Sequence, residues 1–118
     1  MQSDAAETLK HRLRADIKAA MRARAADETR LLRALLAAVD NAQAVPVASG
    51  QSALPNSFAD GASEVPRLAL TESALHAVLA AEIAERERAA EAIAAHGRPD
   101  EADRLRAEAA VVRRYLPA

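Results

Sequence analysis

Lys10, Arg14, Lys18 and Arg22 recur at a strict spacing of four. On a helix, residues four apart are neighbours on one face, so the run makes a stripe of cations. A stripe of this kind can track phosphates, because protein–RNA association is driven by their neutralisation. Arg12 and Arg24 lie close in sequence. The competing reading is a solvated face opposite Leu9, Leu13 and Ile17, partly balanced by Asp16. The aromatic residues that stack bases in single-strand RNA readers are missing from this stretch. On the sequence alone, the solvated face is the stronger of the two readings. Arg33, flanked by leucines, either pairs with an acidic residue or extends its charge past apolar surface to water.

No residue pattern specifies catalysis. Glu82, Glu85, Arg86, Glu87, Arg88 and Glu91 alternate in charge. Paired carboxylates perform acid–base work only where a cleft drives their pKa values apart. The expectation here is a solvated salt-bridge face. His11, His76 and His96 are far apart and match no metal-ligand spacing. Ser49, Ser52, Ser57 and Ser63 lack a nucleophile-elbow setting. With three glycines, no phosphate-cradling glycine loop is formed either. The expectation is therefore no enzyme, no cofactor and no metal. Tyr115, the one tyrosine, is expected to anchor the last helix, its ring packed and its hydroxyl on water or a carbonyl.

These groups must be carried by a small core. The chain has 118 residues, a formal net charge of −1, and 51% hydrophobic against 2% aromatic residues. One domain is the natural unit at that length. Much of the apolar share is alanine, which favours helix but buries little area. The core therefore falls to scattered Leu, Ile and Val. Absence of cysteine excludes a disulfide framework and fits the cytoplasm. Charged residues interrupt the N-terminus, so no signal peptide is expected, and no apolar run reaches the length of a membrane span.

Three regions position the candidates. Residues 4–44 contain no Gly or Pro and read as helix. Asp4 is the expected N-cap, with Glu7 completing a capping box. Leu9, Leu13, Ile17 and Met21 mark an apolar face. A break near Ala26 and Asp27 is favoured, with Asp27 as the second N-cap. Residues 45–70 hold Pro46, Gly50, Pro55, Gly61 and Pro66, and read as a long flexible loop. Residues 71–116 read as an antiparallel hairpin. Thr71 caps its first helix, Gly97 ends it, and Pro99 starts the second. The predicted stripes are Leu75, Val78, Leu79, Ile83, Ala90 and Ile93, facing Ala102, Leu105, Ala109, Val112 and Leu116. The fold class is all-α, a small bundle of three or four helices with a C-terminal hairpin.

Several segments together resemble a known family. They are SEVPRLALTE (63–72), EIAERERAAE (82–91) and GRPDEADRLRAEAAVVRRYLP (97–117), with LRADIKAAMRAR (13–24) and LLRALLAAVDNAQ (31–43) upstream. In that order the chain is similar to the GatB/YqeY family. Apart from the loop, the likeness covers nearly the whole chain and rests on order and spacing. The family joins free-standing YqeY proteins to the C-terminal helical part of the tRNA-dependent amidotransferase B subunit. The resemblance implies an accessory role near aminoacyl-tRNA, with tRNA or an aminoacyl-tRNA-processing protein as partner. Carbon–nitrogen ligase activity with glutamine as donor belongs to other parts of that assembly, and no residue here supports it. Family members continue past Tyr-Leu-Pro into a smaller second bundle, whereas this chain reaches Ala118. The expectation is one YqeY-like domain over 1–118 with the second bundle absent. The alternative function is a self-associating or partner-binding helical module with no RNA role, since apolar stripes on so small a core invite covering.

Overall fold

The structure, a computed structural model, describes residues 4–44 and 69–117. Four helices make up the regular structure of these residues: α1 (Ala5–Arg22), α2 (Ala26–Gln43), α3 (Glu72–Ala95) and α4 (Pro99–Arg113). They form two antiparallel hairpins, α1–α2 and α3–α4, laid against each other. The all-α bundle expected from periodicity is the observed fold. The expected loop lies outside the described residues apart from Ala69 and Leu70.

The helix starts follow local chemistry. Asp4 accepts a hydrogen bond from the Ala6 amide at 3.1 Å, and Thr71 accepts one from the Ala74 amide at 3.0 Å. Each satisfies a donor that the first turn leaves without an intrahelical partner. Glu7 does not close a box with Asp4; it turns to Lys10, 3.3 Å away. Asp27 is not the second N-cap. Ala25 occupies that position without a side-chain bond, and Asp27 sits in the first turn, paired with Arg30 at 3.1 Å.

Both hairpins turn by the same device. At the end of α3 the Gly97 amide bonds Ala94 O and the Arg98 amide bonds Ile93 O. At the end of α1 the Arg24 amide bonds Met21 O and the Ala25 amide bonds Ala20 O. Each pair of bonds satisfies carbonyls at the helix end and places one residue in left-handed backbone. That residue is Gly97 (φ 77°) in one turn and Arg24 (φ 58°) in the other. Glycine takes the conformation at no steric cost, whereas arginine does not.

The core is leucine-centred. Leu13, Leu32, Leu35, Leu79, Val39 and Val112 are almost wholly buried, joined by Leu9, Ile17, Leu31, Leu75, Ile83 and Tyr115. Each such side chain contributes about 1.5–3 kcal/mol by leaving water. Ala90, Ala102 and Ala109 are buried within the α3–α4 hairpin, their small size allowing close approach of the two backbones. Two expected faces are displaced. Met21 is 51% exposed, and Val78, Ile93, Leu105 and Leu116 are half-buried. A step of four residues overshoots one turn by about 40°, so three steps carry a residue about 120° round the axis. Met21, the fourth member of its run, has rotated off the core.

Candidate functional site

The same rotation divides the four cations of α1. Lys10, the first, lies at the edge of the core and is 3% exposed. Its Nζ is 2.8 Å from Asp40 Oδ1 on α2 and 3.3 Å from Glu7 Oε2. It is thus an interhelical ion pair and is corrected from its place in the exposed stripe. Lys10 holds the Glu7 carboxyl below the usual range, chiefly through its hydrogen bond, with Gln43 and Arg14 adding smaller effects. Arg14, Lys18 and Arg22 are exposed.

Of these three, Arg14 lies nearest the seam between α1 and α2, and Lys18 and Arg22 step successively away from it toward the outer face of α1. Lys10 touches Asp40 at one end of the seam, and Met21 touches Arg33 at the other, with Arg33 Nη2 3.5 Å from Met21 Sδ. Lys10 and Met21, eleven residues apart, lie on nearly the same line of α1. Arg14 and Lys18 fall between them, along the same side. Arg33 therefore takes the second course open to it, running past apolar surface to water. Arg24, held by the turn, and Arg30 on the first turn of α2 complete a cluster at the closed end of the hairpin.

Ion pairing is denser on the α3–α4 hairpin, where among the described residues Arg88 and Arg104 alone of seven cations form no ion pair. Arg14, Lys18, Arg22, Arg24 and Arg33 form no ion pair among the described residues. On the other hairpin, Arg98 pairs with Glu101, Arg106 with Asp103, and Arg113 with Glu87. Residues 4–44 hold eight Lys and Arg against six Asp and Glu, while residues 69–117 hold seven against nine. The near-zero net charge of the chain thus conceals a basic hairpin packed on an acidic one. Spacing marks Arg24 only as a neighbour of the stripe and does not mark Arg30, because the turn that gathers them carries neither Gly nor Pro.

The remaining charged candidates are structural. Arg86 was expected on a solvated face, but its side chain is only 16% exposed. It bonds Glu82 Oε1 at 2.8 Å and Glu108 Oε1 at 3.2 Å, clamping α3 to α4. Tyr115 is buried as expected. Its hydroxyl meets a carboxylate, Asp16 on α1, and the Arg12 guanidinium lies 4.4 Å from the ring centroid. His11 and His96 are exposed, and His96 Nδ1 lies 2.8 Å from Ala92 O. Among the described residues, no group of three His, Cys, Asp or Glu is placed to hold a metal ion. No described helix is long and apolar enough to cross a membrane.

Comparison with known proteins adds a family. The family model described as Yqey-like protein matches residues 10–118, which takes in α1 from Lys10 onward and the whole of the other three helices. No curated protein and no solved structure matches the chain. The match covers the basic seam and both hairpins, and by it the chain belongs to the YqeY-like protein family.

Proposed function

We propose that this YqeY-like protein is a non-catalytic cytoplasmic adaptor that engages the phosphates of RNA, tRNA foremost, through the basic face of its α1–α2 hairpin. The observation that carries this reading is the segregation of charge pairing. Among the described residues Arg14, Lys18, Arg22, Arg24 and Arg33 form no ion pair, while five of the seven cations of the opposite hairpin are paired with neighbouring carboxylates. Cations held in place without a carboxylate are available to phosphate, and displacement of counterions drives such binding. The family resemblance supports tRNA as the RNA class and an amidotransferase-type assembly as the setting. Reaction chemistry has no support in the arrangement of side chains.

Titration of the purified protein into total tRNA at two salt concentrations tests the proposal, with Arg14→Glu/Lys18→Glu/Arg22→Glu beside it. Saturable binding that weakens with salt and is lost in the variant is the expected result. Absence of binding at low salt would remove RNA from the account. Self-association is the second reading, favoured by Val78, Ile93 and Leu105, which are half-buried and stand outside the central core cluster. A sedimentation size that rises with concentration would support it.

A further inference from the structure

At the closed end of the α1–α2 hairpin the turn and the start of α2 enclose an open cleft of about 530 Å³. Arg24, Arg30 and Arg33 line it together with Met21, Ala25, Ala26 and Thr29. No carboxylate is among the described residues that line it. Two polar groups in this stretch are already engaged: Thr29 Oγ1 donates to Ala25 O at 2.9 Å, and Asp27 accepts from Arg30 at 3.1 Å. Arg24 and Arg33 therefore bring charge to the cleft that nothing in it neutralises. Arg33 is further steadied against the Met21 thioether.

We propose that this cleft is a nucleotide subsite: Arg24 and Arg33 hold a phosphate, and Met21 with the lining alanines Ala25 and Ala26 takes the base. The guanidinium fork matches phosphate oxygens in pairs, which suits arginine over lysine at such a position. The thioether of Met21, 51% exposed on a soluble surface, is polarizable and packs well against a flat aromatic ring. The volume lies within the range of small-molecule sites and is far larger than a bare inorganic anion needs. Arg14 and Lys18 precede the cleft along the α1 axis, each step of four residues covering about 6 Å. The subsite thus stands at one end of a line of cations, and its use by an RNA strand rests on the function proposed above. A free nucleotide offers the same chemistry.

The test uses the full chain carrying carbon-13 methyl label at methionine, so that Met21 reports from inside the cleft. Adenosine monophosphate, adenosine, inorganic phosphate and a short single-stranded oligoribonucleotide are titrated in turn. Arg24→Asn/Arg33→Gln removes both guanidinium groups, and asparagine tolerates the left-handed backbone at position 24. Circular dichroism verifies that the variant remains helical. The expected result is a saturable Met21 shift with adenosine monophosphate, none with adenosine, and affinity weakened on the order of tenfold or more in the variant, as befits lost charged hydrogen bonds. A shift absent with both the nucleotide and the oligoribonucleotide would overturn the subsite. So would equal shifts with inorganic phosphate, which would reduce the cleft to a general anion contact. Failure of the subsite leaves tRNA binding by Arg14, Lys18 and Arg22 intact. Failure of the RNA reading leaves the Met21 shift with free nucleotide intact.

Discussion

The Tyr115 hydroxyl donates a 2.5 Å hydrogen bond to the Asp16 carboxylate, joining the end of the last helix to the middle of the first across 99 positions of sequence. The same ring carries the Arg12 guanidinium at 4.4 Å, and Arg12 donates to Arg114 O at 3.2 Å. The two hairpins are thereby latched together at the C-terminal end of α4. Tyr115→Phe keeps the buried ring and removes the bond to a charged acceptor. Asp16 is half-buried and regains some water, so the expected loss is about 1–2 kcal/mol, read from thermal or urea unfolding.

Tyr115 also gives a pH prediction. Burial, then the hydrogen bond and negative charge of Asp16, raise its pKa above the ordinary tyrosine value. A raised pKa means that the fold favours the protonated form. The resulting stability is fully present below about pH 10, the unfolded value, and is lost as pH climbs beyond it. Tyr115 is the only tyrosine, so ultraviolet phenolate absorbance follows it alone. Native protein should resist ionisation near pH 10 while urea-unfolded protein titrates there. Superimposed titrations would contradict the latch.

Lys10 and its neighbours along α1 should separate stability from binding. Lys10→Gln removes the cation facing Asp40 and Glu7 and should destabilise by about 1–3 kcal/mol, less than for a wholly buried pair because Asp40 is 39% exposed. Glu7, whose pKa is lowered by Lys10, adds stability above its unfolded value near pH 4.3 and loses it as pH falls. The variant should therefore show a flatter acid limb. Its tRNA affinity should remain that of the unaltered chain, since Lys10 is 3% exposed. Equal loss of binding in Lys10→Gln and in the Arg14/Lys18/Arg22 charge reversal would contradict the placement of the interface.

Salt dependence measures the size of that interface. The five cations of that face, Arg14, Lys18, Arg22, Arg24 and Arg33, each neutralising one single-strand phosphate, imply a slope of about −3.5 for log affinity against log salt. Charge reversal at Arg14, Lys18 and Arg22 should weaken binding and flatten the slope by about 2. A slope unchanged in the variant would move the RNA contact elsewhere on the molecule.

The two left-handed residues predict opposite responses. Gly97→Ala meets nothing within 4 Å of the added Cβ, so only the backbone resists, at about 1 kcal/mol of lost stability. Arg24→Gly should gain about the same amount by releasing its strained conformation. It also removes a guanidinium from the cleft. A protein that becomes more stable yet binds nucleotide less well is the expected outcome, measured by unfolding and by the Met21 signal. If Arg24→Gly binds nucleotide unchanged, Arg24 has no part in the subsite.

Helix formation, the caps at Asp4 and Thr71, and the α3–α4 hairpin were all legible in the sequence, because each depends on interactions within a few residues. Gly97 followed by Pro99 announces its turn in residue types that only such a turn favours. The α1–α2 turn uses the same hydrogen bonds with arginine at the left-handed position, so its place could be bracketed but Asp27 was assigned the wrong part. Spacing likewise showed that α1 carries a line of cations and a line of apolar residues. It did not show where each line leaves its face, since that depends on how α1 is rotated against α2 and α3. Only the packed bundle decided that Lys10 is buried against Asp40, that Met21 is exposed beside Arg33, and that Arg86 is a clamp. The convergence of Arg24, Arg30 and Arg33, and the meeting of Tyr115 with Asp16, were likewise decided by packing. Periodicity reports one helix at a time, whereas a site and a latch are built from the space between helices.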